Sequence, residues 1–261
     1  MSCMHQEDVS LAVKSKVSGN ILIINQTDWE DIVRIEERER NIRMISTTER
    51  GLSRSRNMAI QNAEGEICLL SDDDEEFAEG YAERIERYFE QLSDADIIAF
   101  DLGNKVTRLK PCISRVGRLT SLRLCSCQLA FRRKSILQAG VWFDPYMGSG
   151  SGNGCGEENK FLLDCLKAGL KIYYVPEQIA VLKTQESAWF FGFDKEFFYQ
   201  RGAATRYMLG FVPSILYGLY YVLTKKRLYK ETIPMKSAFA ALMKGIWDNT
   251  IFHQKNKAKN G

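Results

Sequence analysis

Short apolar runs alternate with amphipathic stretches along most of this chain. Asn20–Asn25 (NILIIN), Ile42–Ser46, Glu66–Leu70 (EICLL), Ile97–Leu102 (IIAFDL), Cys127–Phe131 and Lys171–Val175 (KIYYV) lack strict polar alternation. That is the pattern of strands covered on both faces. Between them lie three helical patterns. Leu52–Asn62 is the first, and Tyr81–Leu92 places Tyr81, Ile85, Tyr88, Phe89 and Leu92 on one face. The third, Glu158–Ala168, stops at Gly169. The alternation predicts an α/β fold with a mainly parallel sheet flanked by helices. Ligands of open α/β sheets gather beyond the carboxyl ends of the strands, so those ends are where chemistry is sought.

The C-terminal part reads differently. Met208–Leu223 (MLGFVPSILYGLYYVL) carries no charge, and Lys225, Lys226 and Arg227 follow at once. As one helix it would span about 24 Å, short of the ~30 Å hydrocarbon core, and Pro213 and Gly218 interrupt it. An apolar segment with tyrosines and a basic flank suits the headgroup level of a membrane, with Trp189, Phe190 and Phe191 just upstream. The chain therefore divides into an α/β domain over residues 1–205 and a helical, hydrophobic then basic extension over residues 206–261, which is expected to associate with a membrane.

Composition narrows the class. With 261 residues, 45% hydrophobic and 26% charged, the chain can bury a sizeable core without disulfides. A net charge of +3 is too small to point to nucleic acid. Seven scattered cysteines and the lack of a signal-peptide pattern at Met1 lead us to expect reduced thiols in a cytoplasmic protein. The two histidines, His5 and His253, lie too far apart in sequence to favour a histidine-rich zinc site or a Ser-His-Asp triad.

Two segments carry candidate chemistry. Ser71-Asp72-Asp73-Asp74-Glu75-Glu76 follows directly on an apolar strand. Stacked carboxylates there are costly without a cation, and a hard divalent ion takes oxygen ligands. Gly51-Leu52-Ser53-Arg54-Ser55-Arg56-Asn57 opens a helix, and arginines at a helix N-terminus make an anion site. Together, GLSRSRNMAIQNAEGEICLLSDDD resembles the family 2 glycosyltransferases of GT-A fold, where a Gly-Leu-Ser-type helix start precedes a DxD-type motif. Farther on, Gly154-Cys155-Gly156-Glu157-Glu158-Asn159 is similar to the family's Gly-Glu-Asp segment. Phe143-Asp144 and the glycines that follow fit its acceptor-side loop.

The resemblance implies a site. Asp72 and Asp74 would hold Mn²⁺ or Mg²⁺. His5, Asn25, Gln26, Arg54, Arg56, Asp72 and Asp73 would contact a nucleotide-sugar donor, most simply a UDP-sugar. Where the family has two aspartates, this chain has Asn25 and Gln26, whose amides can pair with a base edge. Lys183 or a neighbour stands where many members offer a histidine, and a lysine there could reach the diphosphate as a point charge. Glu158 would be the general base, with Glu157 and Gly156 on the acceptor side. Transfer would invert the anomeric centre and deliver the sugar to a glycan or lipid-linked hydroxyl in surface polysaccharide synthesis, at the inner face of the cell membrane. The alternative is a nucleotide-sugar binding module at the membrane with impaired catalysis.

Overall fold

The computed structural model describes residues 1–38, 40–103, 109–183 and 192–260, the side chains at 257, 259 and 260 apart. The chain forms two compact units, Met1–Phe143 with Glu158–Gln185, and Asp144–Glu157 with Glu186–Gly261. The expected aromatic cluster Trp189–Phe191 lies outside the described residues.

The first unit begins with β1 (Ser2–Met4), α1 (Leu11–Lys14), β2 (Ile21–Gln26), β3 (Asp31–Glu36) and β4 (Asn41–Thr47). There follow α2 (Leu52–Asn62), β5 (Ile67–Leu69), β6 (Glu75–Phe77), α3 (Tyr81–Gln91) and β7 (Ile97–Leu102). Then come β8 (Ser114–Arg115), α4 (Arg118–Ser121), β9 (Leu129–Arg132), α5 (Arg133–Ala139), α6 (Glu157–Lys167) and β10 (Ile172–Leu182). One sheet has the order β1-β2-β4-β3, the other β5-β9-β7-β10-β6 with β8 against β10.

The α/β class with helix-flanked sheets holds, and both sheets are mixed. β1 and β4 run parallel to β2, and β7 parallel to β10. β9 runs antiparallel to β5 and β7, β6 antiparallel to β10, and β3 antiparallel to β4. Apolar runs carry no direction, so these reversals were not readable from periodicity. The helix face predicted at Tyr81 is buried as expected, with Tyr81, Ile85 and Phe89 inside. Ile23, Phe100, Ala130 and Val175 sit in one core cluster, and Phe131, Phe143, Phe161 and Tyr174 in another.

The second unit is helical. It comprises α7 (Lys195–Leu209), α8 (Phe211–Thr224), α9 (Lys226–Tyr229), α10 (Met235–Asp248) and α11 (Thr250–Asn260). The uncharged run is not one helix: Gly210, at φ +87°, separates α7 from α8. α7 and α10 meet at backbone level, because a side chain at Gly202 or Gly245 would collide with the carbonyl of Leu242 or of Tyr199. Phe198, Tyr221, Tyr229, Leu242 and Ile246 fill the core this contact creates. α8 buries only one face, through Ser214, Gly218, Tyr221 and Val222.

Candidate active site

The carboxyl ends of β2 and β4 meet the start of α2, and the first residue of β1 links that helix to the turn after β5. Ser2 is the joint. Its backbone N donates to the Ser71 carbonyl at 3.1 Å, its hydroxyl pairs with that of Ser55 at 2.9 Å, and it bridges to Asp72. Short as β1 is, it still lies parallel to β2 and seats the acidic turn beside the helix that carries Arg54 and Arg56.

The acidic run is not one loop. Asp72, Asp73 and Asp74 form a turn, whereas Glu75 and Glu76 belong to β6, where successive side chains point to opposite faces. Glu76 pairs with Lys16 at 2.5 Å. Glu75 is fully buried and accepts the Asp72 backbone N–H at 3.0 Å. Burial first, and then the charge of Asp72, pushes the Glu75 carboxyl well above its ordinary value. Its Oε1 is buried with no hydrogen-bond partner among the described residues.

That gives a pH prediction. A carboxyl held above its unfolded value of 4.5 keeps its proton in the folded state while the unfolded chain ionises. The stability contribution of Glu75 therefore falls as pH rises above that value. Glu75→Gln keeps the shape and removes the cost of ionisation. In metal-free thermal melts its midpoint should gain on the wild type as pH rises above about 5. Parallel curves for the two proteins would contradict a protonated Glu75.

The predicted donor contacts separate into three groups. Asn25 and Gln26 are buried and committed internally. The Asn25 amide accepts the Gln6 N–H at 3.0 Å and donates to the Gln6 carbonyl at 2.8 Å and to Ser46 Oγ at 3.2 Å. Gln26 Oε1 accepts the Gly51 N–H at 2.7 Å. These amides fix the loop after β1 and the entry to α2, where Gly51 sits at φ +116°. Arg56 is also buried. It holds Asp72 at 3.1 Å and Ser126 Oγ at 2.7 Å, and its guanidinium lies over the Phe143 ring. Arg56 is buried while Asp72 is about one-third exposed, so removing Asp72 takes a carboxylate from a buried guanidinium and should destabilise the fold.

His5 and Arg54 are the outward-facing members. His5 is exposed at the end of β1 in a left-handed conformation, φ +50°, that non-glycine residues rarely adopt. Arg54, on the first turn of α2, is half exposed and 3.5 Å from Glu49. Lys183 follows β10, and its backbone N donates to the Asp74 carbonyl at 2.7 Å. Its ammonium rests 2.6 Å from the Lys14 carbonyl.

The turn's chemistry suits a hard cation in one form. Partial burial, then the charges of Asp72 and Asp74, raise the Asp73 carboxyl, which a divalent ion at the turn would relieve. Among the described residues no three His, Cys, Asp or Glu side chains gather into a complete metal cage. Mg²⁺ commonly takes only one or two protein carboxylates and completes its shell with substrate phosphates and water. The donor set fits that second arrangement.

Gly156, Glu157 and Glu158 open α6. Gly156 sits at φ +86° with Met208 close to where a Cβ would lie, so other residues are strained there. Glu157 is buried and Glu158 partly exposed, both on the first turn, where the helix dipole favours acids. Asn159 fixes the next position by donating to the carbonyls of Ser121 and Leu124.

Comparison with known proteins agrees on the fold. Residues 20–137 match the model of glycosyl transferase family 2. That stretch includes the Gly51 and Asp72–Asp74 segments and ends before Gly156–Glu158. Among curated proteins, none matches the sequence. Among solved structures, S. aureus TarS 1-349 in complex with UDP-GlcNAc is similar at TM-score 0.62 and 10% identity, over 94% of this chain and 81% of that one. The mannosyltransferase PcManGT from Pyrobaculum calidifontis, in complex with GDP-Man and Mn²⁺, is similar at TM-score 0.52 and 10% identity, over 95% and 86%.

Proposed function

We propose, from the premise that this chain carries a family 2 glycosyltransferase domain of GT-A fold, that it moves a sugar from a nucleotide-diphosphate sugar to an acceptor hydroxyl with inversion. The observation that supports this reading is the convergence of the Asp72–Asp74 turn, the α2 start, Ser2 of β1 and the carboxyl ends of β2 and β4. The similar structures bind UDP-GlcNAc in one case and GDP-Man with Mn²⁺ in the other, which supports a nucleotide-sugar donor and a divalent metal.

The chain's residues then have separate roles. Asp74 with Asp72 would hold Mn²⁺ or Mg²⁺, and such an ion neutralises the diphosphate as it leaves. Arg56 orients Asp72 from within the core, and Arg54 and Lys183 would add positive charge toward the diphosphate. His5 and Asp73 would meet the nucleoside, while Asn25 and Gln26 hold the backbone around them. Glu158 would take the proton of the attacking hydroxyl, with Glu157 and Gly156 shaping the acceptor side. A base opposite the leaving group gives inversion. A thermal-shift screen of UDP-, GDP- and dTDP-sugars with Mn²⁺ tests the donor. Saturation by the right class should raise the midpoint several degrees, and a flat response to all three would contradict the reading.

The second unit supports a peripheral membrane role for the same enzyme, on a lipid-linked acceptor. Among the described residues no helix is long and apolar enough to cross a membrane. Instead α8 exposes Val212, Leu216, Tyr220 and Leu223 at helical spacing, with Val212, Leu216 and Leu223 more than 60% exposed. Lys226 and Arg227 follow, also exposed. An apolar stripe beside basic residues suits an anionic surface, each charge adding about 1 kcal/mol. Replacing Lys225, Lys226 and Arg227 with Gln should weaken co-sedimentation with anionic vesicles several-fold and flatten its salt dependence, with the melting midpoint unchanged. Wild-type protein left in the supernatant at low salt would contradict the membrane role.

A further inference from the structure

The loop of residues 144–156 is rich in glycine, with Gly148, Gly150, Gly152 and Gly156 all at positive φ. Such a segment loses much conformational freedom on ordering and needs anchors. The second unit supplies them from the end of the chain. Asn249, at φ +45°, ends α10 in a left-handed turn and starts α11. α11 then seats the fully buried Ile251 against Met147, Ala203 and Ala204. Gln254 Oε1 accepts from Asn153 Nδ2 at 3.0 Å, and Gln200 Oε1 of α7 accepts the Gly154 N–H at 3.3 Å.

The strongest anchor is ionic. Asp144 Oδ2 receives Lys255 Nζ at 2.6 Å and the Tyr207 hydroxyl at 2.6 Å, and Lys255 also donates to that hydroxyl at 2.8 Å. Asp144 Oδ1 caps the loop by accepting the Tyr146 N–H at 3.1 Å. Burial works against the Asp144 charge, yet the bonds from Lys255 and Tyr207 hold its carboxyl below the ordinary value. Burial and Asp144 together push the Tyr207 hydroxyl up to about 12. Read as sequence, Lys255 belongs to the basic part of the C-terminal extension; in the structure it closes a contact with a residue 111 positions earlier.

We infer that Lys255 of α11 is a positioning residue, which by clamping Asp144 with Tyr207 sets the acceptor-side loop that runs into Glu157 and, next in the chain, Glu158. The inference rests on the reading of Glu158 as the base. It makes the last helix part of the catalytic apparatus without touching substrate. The donor residues belong to elements outside this loop, whereas Glu158 follows it directly in the chain, so losing the clamp should lower turnover and spare donor binding.

The test uses the full chain as wild type, Lys255→Arg, and the pair Lys255→Met with Asp144→Asn, which leaves no unpaired buried charge. Hydrogen exchange is read at Met147, Gly148, Ser151, Gly154 and Cys155, whose amides are bonded in the intact loop. Turnover is read as nucleoside diphosphate released from UDP-, GDP- and dTDP-sugars, UDP-GlcNAc and GDP-mannose among them, with Mn²⁺. The paired variant should exchange at least ~10-fold faster at those amides and lose about 10-fold in kcat, with donor KM within about twofold. Lys255→Arg should restore both. Native exchange in the paired variant, or faster exchange with native kcat, overturns the clamp while leaving the glycosyltransferase reading intact. If the wild type releases nucleotide from none of the UDP-, GDP- and dTDP-sugars, the glycosyltransferase reading falls and the positioning role falls with it.

Discussion

Glu158→Gln is expected to bind the nucleotide-sugar donor as the wild type does and to turn it over at least ~100-fold more slowly. The amide keeps the size of the side chain and its place on the first turn of α6, which Asn159 fixes through the carbonyls of Ser121 and Leu124. What it loses is the ability to accept a proton, and general-base assistance contributes roughly 10²–10⁴-fold. Donor contacts are assigned to other elements, so affinity measured by calorimetry should not change. Near-native turnover in this variant would return Glu157 and Glu158 to acids that merely favour the helix dipole.

Asp74→Ala is expected to abolish metal-dependent donor binding while the fold survives. The three aspartates crowd one turn, and partial burial and then the charges of Asp72 and Asp74 raise Asp73, so removing one carboxylate relieves repulsion in the metal-free protein. Asp72 is different, because it neutralises the buried Arg56, and its loss should destabilise the fold. Calorimetry with Mn²⁺ and without it separates the two effects. An Asp74→Ala protein that binds donor with unchanged metal dependence would remove Asp74 from the ligand set.

Much of the fold was legible because burial writes itself into apolar periodicity. The α2 and β7 bounds read from sequence coincide with the structure, and the buried face of α3 is the one predicted. β3 escaped notice because it is an edge strand whose residues are nearly all exposed, leaving no apolar run. β6 was hidden inside the acidic run, since two adjacent glutamates give no sign that one is fully buried and the other exposed to Lys16.

The candidate residues stood out as motifs in the sequence, but the partners the structure gives them did not. A sequence does not show that the Asn25 amide is consumed by Gln6 and Ser46, or that Arg56 is spent on Asp72 rather than left for an incoming anion. Such partners come from other elements and are set by tertiary packing. The clamp on Asp144 is the extreme case: Tyr207 sits in an uncharged run and Lys255 in a basic one, and neither composition hints at the other.

The most direct measurement of the central claim is the release of nucleoside diphosphate from UDP-, GDP- and dTDP-sugars by the full chain with Mn²⁺, followed chromatographically. The account predicts release from at least one donor that stops with a chelator, falls ~100-fold in Glu158→Gln and persists when Lys225, Lys226 and Arg227 are replaced by Gln. Release no faster than in enzyme-free controls for every donor would contradict it.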